Sequence, residues 1–126
     1  MNQYAITALK AVELILNKEY VSPIDAWEKA TQTIIKSQSS REKGCPREAF
    51  LGLCEEGLIN GVSSGDYTNS NKNKRYAIIA VELLKKDPNL INNKKKLWRT
   101  IQEDGSKTQN GQLDIVIALW QKKLIK

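Results

Sequence analysis

The stretch Gln112-Leu113-Asp114-Ile115-Val116-Ile117-Ala118-Leu119-Trp120-Gln121-Lys122-Lys123-Leu124 is apolar nearly all the way round a helical period. A helix of that kind has almost no face to give to water, so it predicts a central element covered on several sides. The rest of the chain reads as helices that cover it. Residues 4–17 place Ala5, Ala8, Leu9, Val12, Ile15 and Leu16 at three- and four-residue spacing, with Lys10 and Glu13 off that stripe. Ser22-Pro23-Ile24-Asp25 opens a second helix, with Ser22 as cap, Pro23 at the first helical position and Asp25 in the first turn. A third begins near Cys45-Pro46, with Glu48 in its first turn and Phe50, Leu53, Cys54 and Leu58 along one side. A fourth runs from about Lys72 to Lys86, where Pro88 prevents continuation. A shorter fifth covers about Asn93 to Gln102. Residues 37–44, 60–71 and 103–111 read as loops, and Leu58–Val62 as at most a short extended piece. The prediction is an all-α, compact bundle of about six short helices forming one domain over residues 1–126.

Composition narrows the chemistry. With 126 residues, 40% hydrophobic and 27% charged, the chain has the balance of an ordinary soluble domain. It contains no His, which removes Ser-His and Cys-His nucleophile pairs and most zinc and haem sites. No run of about 18 apolar residues exists to span a membrane. The apolar residues of the first twenty are spaced rather than massed, so no secretory leader is expected and a cytoplasmic, reducing location follows as the default. Cys45 and Cys54 lie nine apart on one predicted helix, about 13 Å at the helical rise, beyond disulfide reach. A Cys-x8-Cys spacing without His is no zinc site, and no phosphate-cradling glycine loop is present. No catalytic residue, metal or cofactor is expected.

The formal charge of +6 is concentrated in one segment. Residues 1–71 carry −2, residues 72–99 carry +7 and residues 100–126 carry +1. The lysines fall where helix physics disfavours them: Asn69-Ser70-Asn71-Lys72-Asn73-Lys74-Arg75 opens the fourth helix and Asn92-Asn93-Lys94-Lys95-Lys96 the fifth. A helix amino end carries about half a positive charge from its aligned peptide dipoles. Cations there make local sense if an anion sits among them, and the amino ends of the fourth and fifth helices are expected to converge and frame a single electropositive hollow. The expected contacts are Lys72, Lys74, Arg75, Lys94, Lys95, Lys96 and Arg99, with Asn69, Asn71 and Asn73 adding hydrogen bonds. The alternative is a solvated surface rich in lysine because the whole composition favours Ile, Lys and Asn. A helix-turn-helix-like arrangement is compatible with the fold, although the connections around the third helix are longer than that motif's turn.

Three smaller features stand beside the basic segment. Cys45 sits at a helix start near Arg41, Lys43 and Arg47, an environment that favours thiolate and a reactive or redox-sensing thiol; the alternative is a small residue near a cap. Glu42, Glu48, Glu55, Glu56 and Asp66 form an acidic neighbourhood. Adjacent Glu55 and Glu56 diverge by about 100° on a helix, so a solvated face is expected. Trp27, Trp98 and Trp120 lie on apolar stripes and read as core, with only Trp98 beside cations in a way that would suit base stacking. Tyr67 reads as an anchor for the long loop.

Three segments carry a family resemblance: Lys43-Gly44-Cys45-Pro46-Arg47-Glu48-Ala49-Phe50-Leu51-Gly52-Leu53-Cys54-Glu55-Glu56-Gly57-Leu58, Asn73-Lys74-Arg75-Tyr76-Ala77, and Asn110-Gly111-Gln112-Leu113-Asp114-Ile115-Val116-Ile117-Ala118-Leu119-Trp120. Together the chain resembles a small bacterial family known only as a domain of unknown function. The resemblance implies an intracellular single-domain protein and brings no site residue with it. The functional expectation therefore rests on the residues. It is a binding module that docks nucleic acid, another polyanion or an acidic protein through residues 72–99, without a membrane role. The alternatives are a protein–protein interaction module or assembly subunit, homo-oligomers included, and a thiol function at Cys45.

Overall fold

The computed structural model describes residues 1–102 and 108–126. Seven α-helices and one 3₁₀ turn follow in order: α1 (Gln3–Leu16), α2 (Pro23–Ile34), α3 (Gln38–Arg41), α4 (Gly44–Glu55), α5 (Asn71–Lys86), the 3₁₀ turn (Pro88–Asn92), α6 (Lys94–Ile101) and α7 (Gln112–Gln121). The all-α architecture is that expected. Among the described residues the only β-type pairing is an isolated antiparallel bridge between Ile59 and Ile125, which is the short extended piece anticipated at 58–62.

The central position of the last helix follows from its sequence. α7 packs on α1, α4 and α5, and Leu113, Ile115, Val116, Ala118 and Leu119 are buried. α4 lies against α5, and α1 against α2. Trp27 of α2 stacks on Phe50 of α4 with ring centroids 5.2 Å apart, tying the two pairs into one apolar core. Buried aromatics of this size dominate core energetics.

Helix ends differ from expectation in four places, each for a local reason. Ser37 accepts a hydrogen bond from the Ser40 amide and starts the single turn of α3, so 37–44 is not wholly a loop. Ser22 occupies the capping position of α2 but makes no side-chain cap, leaving Pro23 to set the entry. Pro88 does not simply end a helix; it starts the 3₁₀ turn, capped by Asp87. α7 stops at Gln121 because Lys123 adopts a left-handed conformation with φ of 59°. Entry into α7 needs Gly111, whose φ is 93° and whose missing Cβ would lie 3.2 Å from Pro46 of α4.

Candidate functional site

The cationic segments open α5 and α6, and their surroundings differ. α5 starts after a loop that runs back over α4. Gly52 permits the approach: a Cβ there would stand 2.7 Å from the Cα of Lys74, so only glycine lets the first turns of α5 lie this close. Ser70 then caps α5 by accepting from the Asn73 amide at 3.2 Å.

Two carboxylates of α4 hold that loop. Glu48 and Glu55 are seven residues apart, two helical turns, and therefore share a face. Glu55 Oε1 accepts the amides of Tyr67 at 2.8 Å and Thr68 at 3.2 Å. Glu48 Oε2 accepts the Thr68 hydroxyl and the Asn69 amide, both at 2.7 Å, while Arg47 pairs with its other oxygen. Tyr67 closes the loop by donating its hydroxyl hydrogen to the Ser63 carbonyl at 2.9 Å. The solvated acidic face expected from the sequence is thus corrected. Glu48 is only 7% exposed, Glu48 and Glu55 converge on the loop, and Glu55 and Glu56, expected to diverge, both reach the Lys74 ammonium.

Lys74 completes this arrangement. Its ammonium donates to Glu55 Oε2 at 2.5 Å and Glu56 Oε1 at 2.6 Å. The Lys74 hydrogen bond, followed by the Tyr67 amide, holds the Glu55 carboxyl down at about 2. The bonds to Glu55 and then Glu56 raise the Lys74 ammonium in turn. Asn73 turns inward as well, its Oδ1 accepting from Gln112 Nε2 of α7 at 2.9 Å. Sequence reading placed Lys74 and Asn73 on a binding surface; both side chains have partners within the fold. The signal that could have located them was the i, i+7 spacing of Glu48 and Glu55 across a long loop from Lys74.

The opening of α6 is mostly exposed. Asn93 caps it by accepting from the Lys96 amide at 3.1 Å. Lys94 donates to Asp114 Oδ1 of α7 at 2.6 Å. Lys95, Lys96 and Arg99 are exposed, as are Asn71, Lys72 and Arg75 at the start of α5. Among the described residues no carboxylate pairs with Arg75, Lys95, Lys96 or Arg99. Tyr76 and Trp98 meet edge to face with centroids 5.2 Å apart and so join α5 to α6. Trp98 is 8% exposed, so it packs and does not offer a stacking platform.

The two helix openings do not frame one electropositive hollow. Gln112 touches Asn73 and Asp114 touches Lys94, and these two positions point to nearly opposite sides of α7. The first turn of α7 stands between the two openings, with a carboxylate neutralising one lysine of each. Cys45 lies half-buried in the first turn of α4, and Cys54 is buried in the core, where desolvation pushes its thiol up strongly; both are free thiols. Among the described residues no group of three His, Cys, Asp or Glu could hold a metal ion, and no helix is long and apolar enough to cross a membrane.

The fold defines the class of the protein, a small all-helical bundle. More narrowly, residues 1–126 match the model of a family of unknown function, DUF6979, and the chain belongs to that family. No curated protein and no solved structure matches it.

Proposed function

We propose that the protein is a small all-helical binding module whose exposed α6 face docks a polyanion, with the phosphate backbone of nucleic acid as the leading ligand. The observation that carries this reading is that Lys95, Lys96 and Arg99 stand exposed on α6 without a carboxylate partner among the described residues. Lys95 and Arg99 are four apart and share a face, and Lys96 is next to it. With Trp98 packed inside, the contacts are to phosphates rather than to stacked bases, so binding is weak in sequence preference and strongly dependent on salt.

The test is a titration of fluorescent duplex DNA and RNA at several salt concentrations, with the Lys95→Glu/Lys96→Glu/Arg99→Glu variant alongside. The reading expects affinity to fall steeply with salt and nearly to vanish in the variant, whose circular dichroism stays native. Salt-dependent binding that the variant retains in full removes the proposal. A second reading, docking of a protein partner, is favoured by a different face and is developed next.

A further inference from the structure

Beyond the cationic face of α6, the outer side of α7 carries an apolar trough. Two hollows of about 380 and 490 Å³ adjoin there and share Ile91 and Gln121. Asp114, Ile117, Ala118 and Gln121 recur at three- and four-residue spacing and form one stripe along α7. Ile91 of the 3₁₀ turn and Met1 before α1 wall one hollow; Trp120 and Ile125 wall the other. Trp120 is half-buried, and no hydrogen-bond partner among the described residues takes its indole N–H. Half-exposed tryptophans in a concave apolar setting are the usual anchors of protein interfaces.

The charges on the rim select the occupant. Asp114 is the one carboxylate in the lining, and Lys94 neutralises it at 2.6 Å. Lys123 lines the second hollow, and Lys122 and Lys126 are exposed on either side of it in the chain. None of these three lysines pairs with a carboxylate among the described residues. The first hollow mixes apolar residues with Asn2, Asn92 and Gln121, and the second is apolar at Ile91, Trp120 and Ile125 with one uncompensated cation, Lys123, in its lining. The lining residues of α7 run from Asp114 to Gln121, so the trough extends about 10 Å along the helix, roughly two turns of a second helix.

We infer that this trough receives an acidic amphipathic helix of a partner protein, its apolar stripe against Ile117 and Trp120 and its carboxylates toward Lys123. Grooves of this size and polarity accept helices through anchors at three- and four-residue spacing. The charge pattern is what such a helix complements. A bilayer is a poorer fit, since lipid binding needs apolar side chains that protrude and these line a hollow. A second copy of the chain is also a poorer fit. Its exposed large apolar residues are Met1, Ile6, Leu16 and Val21, which form no single helical stripe edged with carboxylates.

The experiment uses the full chain and tryptophan emission. Trp27 is 1% and Trp98 8% exposed, so Trp120 dominates any change. The probe is a synthetic helical peptide of about four turns with leucines on one face and glutamates elsewhere. Its controls are the same peptide with lysines replacing the glutamates, and vesicles of anionic phosphatidylglycerol. The inference expects a saturable blue shift with the glutamate peptide. It also expects affinity to drop about tenfold or more in Lys122→Glu/Lys123→Glu and in Trp120→Ala, and to be unchanged in the α6 triple variant. The double lysine variant keeps the test valid if Trp120→Ala fails to fold. Equal binding of both peptides, no saturation by about 1 mM peptide, a response to vesicles alone, or a concentration-dependent dimer that buries Trp120 each overturns it. Because the two faces are probed by separate variants, loss of the polyanion reading leaves this result interpretable, and the reverse holds as well.

Discussion

The start of α5 and the start of α6 have similar sequences and opposite fates. Each is a cluster of lysines and asparagines at a helix amino end, where cations are electrostatically misplaced. At α5 the fold compensates Lys74 itself and leaves Arg75 without a carboxylate among the described residues. Glu55 and Glu56 take Lys74, and Glu48 and Glu55 take the amides of the preceding loop. At α6 only Lys94 is compensated, by Asp114, and the cations that follow face water. A lysine-rich helix start is thus not one kind of feature. What decides its role is whether another element brings a carboxylate within reach.

The largest expected effect of breaking this contrast is on stability at the α5 side. Glu48→Ala removes the acceptor of the Asn69 amide and the Thr68 hydroxyl and leaves Arg47 only its 3.6 Å pairing with Glu28; a loss of about 3 kcal/mol is expected in urea denaturation, measured against Glu42→Ala, whose side chain is exposed. Gly52→Ala forces α5 off α4 and should cost about 1–3 kcal/mol by the same measurement.

Next comes pH. The Glu55 carboxyl is held below its unfolded value, so its contribution is present above about 4.5 and is lost as pH falls toward about 2. The Lys74 ammonium is raised, so its contribution is present below the ordinary lysine value and is lost as pH rises through its folded one. Denaturation midpoints should therefore fall between pH 5 and 2, and Glu55→Gln should flatten that part of the profile; a wild-type profile parallel to that of Glu55→Gln contradicts the assignment. The smallest effect is at Lys94–Asp114, where a double-mutant cycle should return a coupling of about 0.2–1 kcal/mol, because Lys94 is 46% exposed.

The sequence made the helices legible and left the charge partnerships hidden. The all-round apolar pattern at 112–124 identified the central helix, and the stripes at 4–17 and 72–86 identified two of the helices packed on it. These signals are local, set by a 3.6-residue period within one segment. The pairing of Lys74 with Glu55 spans 19 positions and depends on how a loop folds back, and that of Lys94 with Asp114 spans 20. No periodicity within one element encodes such a contact. Adjacent Glu55 and Glu56 were expected to diverge, yet both reach Lys74 across the loop, and Glu55 also works with Glu48, its neighbour only on the helix surface. Gly52 reads in sequence as a mild weakness of a helix; in the fold it is the contact that admits α5.

The most direct test compares the salt dependence of duplex nucleic-acid binding in two variants, Lys74→Gln and Lys95→Gln/Lys96→Gln/Arg99→Gln, each checked for native circular dichroism. The α6 variant should lower the slope of log affinity against log salt by about 0.9 for each phosphate contact removed, and Lys74→Gln should leave it at the wild-type value. A slope that falls with Lys74 and stays constant with the three α6 residues would contradict the division between a lysine neutralised within the fold and cations left for a partner.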